Sequence, residues 1–344
     1  MAALSVYERN RHPVHMSQRR ASFRVTRGLA VLGVVILATA GCAPPEPDPA
    51  ATPAAFQFDI ARDFPDPDVV ADVTGYVAYA TNGADVTIQV ATSPDLTTWS
   101  LLADDALPDL PDWAVAGDTW APDVSMTAHG KFRMYFTATD RASGYQCIGT
   151  AHADSALGPF TPDPGVVACP VDRGGAIDPA TFTGSDGTTF LLFKNDGNCC
   201  GIDTWIWIAP VTADGLALAA DPTRLLTTDL PWEGSVVEAP TLVERDGAYV
   251  MFYSANDYNS LEYAIGYATA ASPLGPFTKA GEPLLTTDSS GYLFFGPGGQ
   301  DVVTGGDGDD RLVFHSWNAD HTARGLDVLP LTWNAGVPSV ELPR

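Results

Sequence analysis

The stretch EAPTLVERDGAYVMFYSANDYNSLEYAIGYATAASPLGPF, residues 238–277, contains one complete structural repeat. An acidic residue beside a proline opens it. Three runs follow in which Val, Tyr, Phe and Ile alternate with small or polar residues, the pattern of half-buried strands. A Leu-Gly-Pro turn then closes the unit and delivers Phe277 back onto the sheet. The same closing segment recurs as SALGPF at 155–160, presenting Phe160, and SPDLTTW at 93–99 takes its place with Trp99. Openings of the same kind are DPDVV (66–70), WAPDVSM (120–126) and IDPATF (177–182), and a fifth unit starts at DVVTGGD (301–307). Self-similarity at this period marks the blades of a propeller. With 32 Gly and 28 Pro punctuating short apolar runs, the expectation is an all-β chain folded as a five-bladed β-propeller. The innermost strands of such a fold line one channel, which brings Asp66, Asp123, Asp178, Glu238 and Asp301 around one pocket. DP dipeptides often serve turns, and Asp63 and Asp68 are assigned to nearby backbone amides on that ground.

Residues 1–42 read as an export signal with a lipobox cysteine. Arg19, Arg20, Arg24 and Arg27 precede an apolar run from Leu29 to Ala40, which ends at Gly41 and Cys42. Thr39 stands where leucine is usual, and Cys42 is the expected lipidation site. Residues 43–55 form a Pro-rich tether, and 56–344 are assigned to the propeller. The chain is thus placed at the outer face of a bacterial cell membrane or in the medium, as a monomer, with a lipid anchor its one link to the membrane. A formal charge of −24 excludes nucleic acid as a partner and suits a neutral substrate. Past Cys42, the four cysteines Cys147, Cys169, Cys199 and Cys200 allow three disulfide pairings. Separate partners for Cys199 and Cys200 are preferred over a bridge between neighbours. Their spacing does not match a zinc site.

The motifs DPD (66–68), IDP (177–179) and EAP (238–240), with WAPDV (120–124) and the closing segments, resemble glycoside hydrolase family 43 from about Asp63 to Pro338. That resemblance implies an inverting five-bladed propeller enzyme acting on arabinan or xylan. It implies Asp66 as general base, Glu238 as general acid and Asp178 as the residue that tunes and orients the acid. Cleaving a glycosidic bond by inversion requires an acid and a base far enough apart to admit a water, about 6.5–9.5 Å against roughly 5–5.5 Å in a retaining pair. A neutral oligo- or polysaccharide with α-L-arabinofuranosyl, or else β-D-xylosyl, linkages is the expected substrate. Arabinan-type action is favoured because no β-sandwich follows the fifth unit.

The same resemblance makes His315 in VFHSWN a holder of calcium through water, although calcium is a hard ion that prefers oxygen. Arg324 matches a family arginine in the last blade. Trp120, Asp123, Phe64, Phe295 and Trp317 are candidate substrate contacts, the aromatics as stacking surfaces or as core. One departure stands out. Many arabinan-active members carry GPGH where this chain has Gly296-Pro297-Gly298-Gly299. A carbohydrate-binding propeller without catalysis is the alternative from another class, and a retaining invertase-like propeller would need NDP, RDP and EC motifs in an order that this sequence lacks.

Overall fold

A computed structural model describes residues 58–343. The export signal, Cys42 and the tether lie outside the described residues. Among the described residues, helix is confined to three short 3-10 turns, and no helix is long and apolar enough to cross a membrane.

Five four-stranded antiparallel sheets follow one another along the chain, as the repeats predict. The first comprises β1 (Asp68–Asp72), β2 (Gly75–Ala80), β3 (Gln89–Ser93) and β4 (Ser100–Leu101). The second comprises β5 (Ala114–Met126), β6 (Phe132–Asp140), β7 (Gln146–Ala153) and β8 (Thr161–Ala168). The third comprises β9 (Ala176–Thr183), β10 (Thr189–Asn195), β11 (Trp205–Pro210) and β12 (Thr223–Thr227). The fourth comprises β13 (Val237–Arg245), β14 (Ala248–Ala255), β15 (Ala264–Ala270) and β16 (Thr278–Lys279). The fifth comprises β17 (Phe295–Thr304), β18 (Asp310–Trp317), β19 (Arg324–Asn334) and β20 (Val337–Val340).

The period-two alternation of the second strands explains why the sheets pack as blades. Met134 and Phe136 turn toward the first blade, whereas Tyr135 between them turns toward the third. Likewise Met251 and Tyr253 face the third blade, and Val250 and Phe252 the fifth. Each strand therefore feeds two cores, one on either side, and each of the five apolar clusters lies between neighbouring blades. The closing aromatics pack as predicted. Phe160 is buried edge-on against Tyr79 at 6.0 Å, Phe277 lies against the third and fourth blades, and Trp99 packs against the core shared by the first and fifth.

The ring is closed by residues just upstream of the first blade. Ile60 bridges Leu326 on β19, and the Phe64 N–H donates to the Arg324 carbonyl at 2.8 Å. The carboxylates of Asp59 and Asp63 accept the N–H groups of Val328 and Arg324, each at 2.9 Å. Asp63 thus fastens the fifth blade and does not serve a local turn. Phe64 is fully buried in this seam, packed in the cluster shared by the first and fifth blades, which removes it from the candidate sugar contacts.

Candidate active site

The inner strands carry one repeated backbone device. Asp66, Ala121, Asp178, Ala239 and Gly299 all have left-handed backbone, with φ between 42° and 57°. Proline follows in four of them and Gln300 in the fifth. Register shifts in β5, β9, β13 and β17 fall at these residues, so four of the five inner strands bulge where they enter the channel. A left-handed non-glycine residue is costly, and its repetition at one ring of positions marks a purpose.

Asp66 and Asp178 therefore occupy equivalent places in the first and third blades. Glu238 comes from one residue earlier in its strand, a place taken by Trp120 in the second blade and Gly298 in the fifth. The channel behind this ring is a cavity of about 150 Å³ lined by Asp66, Asp68, Asp123, Asp178 and Asp301; Glu238, expected in the same pocket, is not part of its lining.

The carboxylate of Asp66 is held from the first and fifth blades. Thr81 Oγ1 donates to its Oδ2 at 2.7 Å, and the same hydroxyl accepts the Ala121 N–H at 3.0 Å. His315 Nδ1 accepts the Asp66 N–H at 3.0 Å and lies 3.4 Å from its Oδ1, with Arg324 Nη1 3.8 Å away. Glu238 is held from the other side. Lys194 Nζ donates to its Oε2 at 2.8 Å, and the Tyr263 hydroxyl to its Oε1 at 2.8 Å. Asp178 Oδ2 accepts the Ala239 N–H at 3.0 Å. Poor solvation in the channel, repulsion from Glu238 and the charge of Asp66 push the Asp178 carboxyl up to about 8, against an opposing pull from Lys194.

Lys194 and Tyr263 were not among the predicted site residues. Lys194 is fully buried at the end of an otherwise apolar strand, FLLFKN, and its charge in that setting was the available signal. Its nearby carboxylates hold its pKa above the usual lysine value despite burial. Tyr263 could not be seen in the sequence. Its ring lies where a side chain on Gly298 would stand, and it stacks on His315 with centroids 6.1 Å apart. Gly299, the departure from GPGH, is explained by the same crowding. A Cβ there would stand 2.5 Å from His315 Nδ1 and 2.8 Å from Asp66 Oδ1.

Asp68, Asp123 and Asp301 lie two residues further along their strands and are engaged differently. Asp68 accepts the Val124 N–H at 2.9 Å, Asp301 the Val69 N–H at 2.9 Å, and Asp123 both the N–H (2.9 Å) and hydroxyl (2.8 Å) of Thr181. Each clasps a neighbouring blade. Asp68 is thus not a local turn residue, and Asp123, with both oxygens taken, is not a sugar contact. Desolvation raises all three, Asp123 to about 7 and Asp301 to about 6, and repulsion from Asp301 and Asp123 adds to the rise at Asp68.

The fit of His315 to calcium is decided by its ring nitrogens. With Nδ1 accepting the Asp66 N–H, the neutral ring carries its proton on Nε2, which is buried without a partner. Burial and Arg324 hold the ring well below the ordinary histidine pKa, so it stays neutral. It offers a donor where a cation needs a lone pair. Among the described residues, the one group of three potential ligands at metal spacing is Asp140 with Cys147 and Cys169, which does not include His315 and whose two sulfurs are joined in a disulfide. The donor set at His315 fits a water and does not fit a calcium ion held directly by the protein.

The remaining candidates lie at the rim. Trp120 is half-buried beside Ala121, and Phe295 is half-buried with its ring edge-on to Tyr292 at 6.5 Å. Trp317 is covered by His321 at 4.0 Å, has Arg324 over its ring at 5.6 Å and donates its Nε1–H to the Tyr258 carbonyl. It buttresses Arg324 and leaves little ring surface for a sugar. The cysteines pair as Cys147–Cys169 and Cys199–Cys200. Separate partners for Cys199 and Cys200 are thus overturned. The β7–β8 hairpin joins Cys147 to Cys169, which leaves the neighbours only each other.

Carboxylates held on separate flanks of a propeller channel, with a third poised near neutrality, are the equipment of an acid–base hydrolase. The sequence profile of glycosyl hydrolases family 43 matches residues 60–338, and the chain belongs to that family. It is 28% identical over 223 residues to the extracellular endo-alpha-(1->5)-L-arabinanase 1 of Bacillus subtilis, covering 61% of this chain and 65% of that one. It is 32% identical over 198 residues to xylosidase/arabinosidase 43A of Humicola insolens, covering 46% and 57%. The chain thus spans less than two thirds of the length of these curated relatives. Among solved structures, a thermostable family-43 glycoside hydrolase superposes with a TM-score of 0.71 at 30% identity, covering 82% of this chain and 93% of that one. An endo-1,4-beta-xylanase from Bacteroides thetaiotaomicron gives 0.70 at 27%, covering 83% and 96%.

Proposed function

We propose that this propeller hydrolyses α-L-arabinofuranosyl linkages, or β-D-xylosyl linkages, of a neutral plant-type polysaccharide with inversion at the anomeric carbon. Asp66 is the base that takes a proton from water, Glu238 the acid that protonates the departing oxygen, and Asp178 the residue that orients and tunes the acid. The observation that carries this reading is that Asp66 and Glu238 share no partner. One is held by Thr81, His315 and Arg324, the other by Lys194 and Tyr263, and the stacked Tyr263 and His315 rings stand between them. That arrangement favours the wider carboxyl spacing of an inverting pair.

The step also needs a proton held within the site. Poor solvation and repulsion from Glu238 push the Asp178 carboxyl up to about 8, so the site retains a proton at neutral pH. Donation needs that proton on Glu238, and Lys194 compensates the negative charge left afterwards. Asp66 has no ammonium within bonding distance among the described residues, and its acceptor Oδ1 remains available to a water. His315 Nε2–H is a second place for solvent in the channel.

Proton NMR of the first-formed sugar tests the stereochemistry, with linear arabinan, arabinoxylan and xylo-oligosaccharides as substrates. The first product from an α-L-arabinofuranoside is expected to be the β-anomer. Retention would overturn the assignment of roles, and binding without turnover would favour a non-catalytic carbohydrate receptor.

A further inference from the structure

The bond between Cys199 and Cys200 lies on the exposed turn Gly197–Cys200, which follows β10. Linking neighbours closes the shortest possible loop, so the bond takes little freedom from the unfolded chain and adds little to stability by that route. Its effect is local. The peptide between the cysteines is fixed in a small ring, and its two sulfurs form a stiff, apolar, polarisable surface.

The position of the ring indicates what it meets. Asn195, at the end of β10, pairs with Ala176 at the start of β9, so the turn stands on the face where the inner strands enter the channel. Asp196, the residue before the turn, lies 3.7 Å from the same Lys194 ammonium that bonds Glu238 at 2.8 Å. A 3-10 turn climbs about 2 Å per residue, which puts the sulfurs on the order of 6 Å from Asp196, roughly one sugar ring.

The turn is well anchored. Cys199 Sγ lies 3.7 Å from the Gly174 carbonyl, the Asp196 N–H donates to the Gly175 carbonyl at 3.1 Å, and Asn195 Nδ2 donates to the carbonyls of Arg173 and Asp203. These bonds make one shelf of segments 170–175 and 196–203. Val171 and Ile202 remain 45% and 41% exposed on it.

We propose that the Cys199–Cys200 ring, with Val171 and Ile202, is the resting surface for a sugar residue on the leaving-group side of the scissile bond, contacting the C–H face of a pentose. This rests on Glu238 being the acid, because the departing oxygen then leaves over the third and fourth blades. A rigid rest of this kind avoids the ordering cost of a flexible contact.

Two substrates with the same glycone separate this subsite from the catalytic centre: an oligosaccharide, and the glycosyl fluoride, whose leaving group is too small to reach the shelf. In the Cys199→Ser/Cys200→Ser double variant, KM for the oligosaccharide should rise roughly tenfold, in the range of a lost apolar contact in a binding site. Turnover of the fluoride should stay within about twofold of wild type. Ile202→Asp should give the same split without touching the bridge, with melting temperatures recorded for both. Equal losses on both substrates, no change on either, or two free thiols in the folded wild type by mass spectrometry would overturn the proposal. A wild type that turns over neither substrate would overturn the glycosidase reading and this subsite with it.

Discussion

The two rings of residues around the channel use the same amino acid for opposite ends. In the upper ring Asp66 and Asp178 sit on left-handed backbone, and each has one carboxylate oxygen held by a neighbouring donor. Two residues deeper, Asp68, Asp123 and Asp301 use their carboxylates to tie each blade to the next. Depth in the channel does not separate the rings chemically, since members of both are pushed up by desolvation. What separates them is that the deeper carboxylates each bond the backbone of the next blade, with both oxygens taken in Asp123 and Asp301. A carboxylate with both oxygens so committed has nothing left to offer a substrate.

The sharpest way to break this contrast is to neutralise one member of each ring. Glu238→Gln and Asp66→Asn should each lower kcat by about a thousandfold, within the range for losing a positioned acid or base, with the melting temperature little changed. Asp123→Asn should do the reverse, keeping kcat within about threefold while costing on the order of 1–2 kcal/mol in urea unfolding, the price of one damaged buried hydrogen-bond pair. If Asp123→Asn instead abolished turnover, the division between the rings would fail.

Next in size is Lys194→Met. Removing the cation leaves Glu238 and Asp178 without their shared counter-charge and should destabilise the fold by about 3 kcal/mol, as breaking a buried pair does. Because Lys194 is the group that pulls Asp178 down, the Asp178 carboxyl should move above its present value of about 8, and the alkaline limb of the pH–rate profile should follow. Tyr263→Phe removes one of two donors to Glu238 and is expected to cost roughly tenfold in kcat, about one hydrogen bond to a charged group.

The smallest effect is on stability against pH. Asp178, Asp123 and Asp301 have folded values of about 8, 7 and 6 against 3.8 unfolded, so the folded state holds protons that the unfolded state releases. Stability from these groups is full below about pH 4 and declines as pH rises through 6 to 8. Neutral, buried His315 acts the other way, losing stability as pH falls below about 6.5, but it is one group against these three and against Asp68, Asp59 and Asp327, which burial also raises. Melting temperature should be higher at pH 5.5 than at pH 8.5, and Asp178→Asn should flatten that slope.

Much of the scaffold could be read before any coordinates. The left-handed residue before proline left a visible DP, AP or EAP at four of the five channel entrances, and the closing aromatics marked three of the five blades. The outer strands of the third and fifth blades, β12 and β20, are short and half-exposed, so burial imposes no clear alternation on them and the sequence does not announce them. The supporting half of the site was harder. Lys194, Tyr263 and Thr81 come from second strands or the loops after them, where one polar residue among apolar ones carries no label for its partner. Phe64 and Trp317 stay open between sugar contact and core because an aromatic near an acid looks the same in sequence whether it faces a ligand or the core.

The seam through Ile60, Asp63 and Phe64 ends two residues before Asp66 and fastens directly onto Arg324. The clasp that makes the ring continuous, Asp66 and the Arg324 guanidinium 3.8 Å from its carboxylate are therefore one local unit. Peeling the amino-terminal segment from the last blade would withdraw both side chains at once while four interblade cores stayed intact. Turnover is thereby the first property such loosening would extinguish, well ahead of collapse of the sheets.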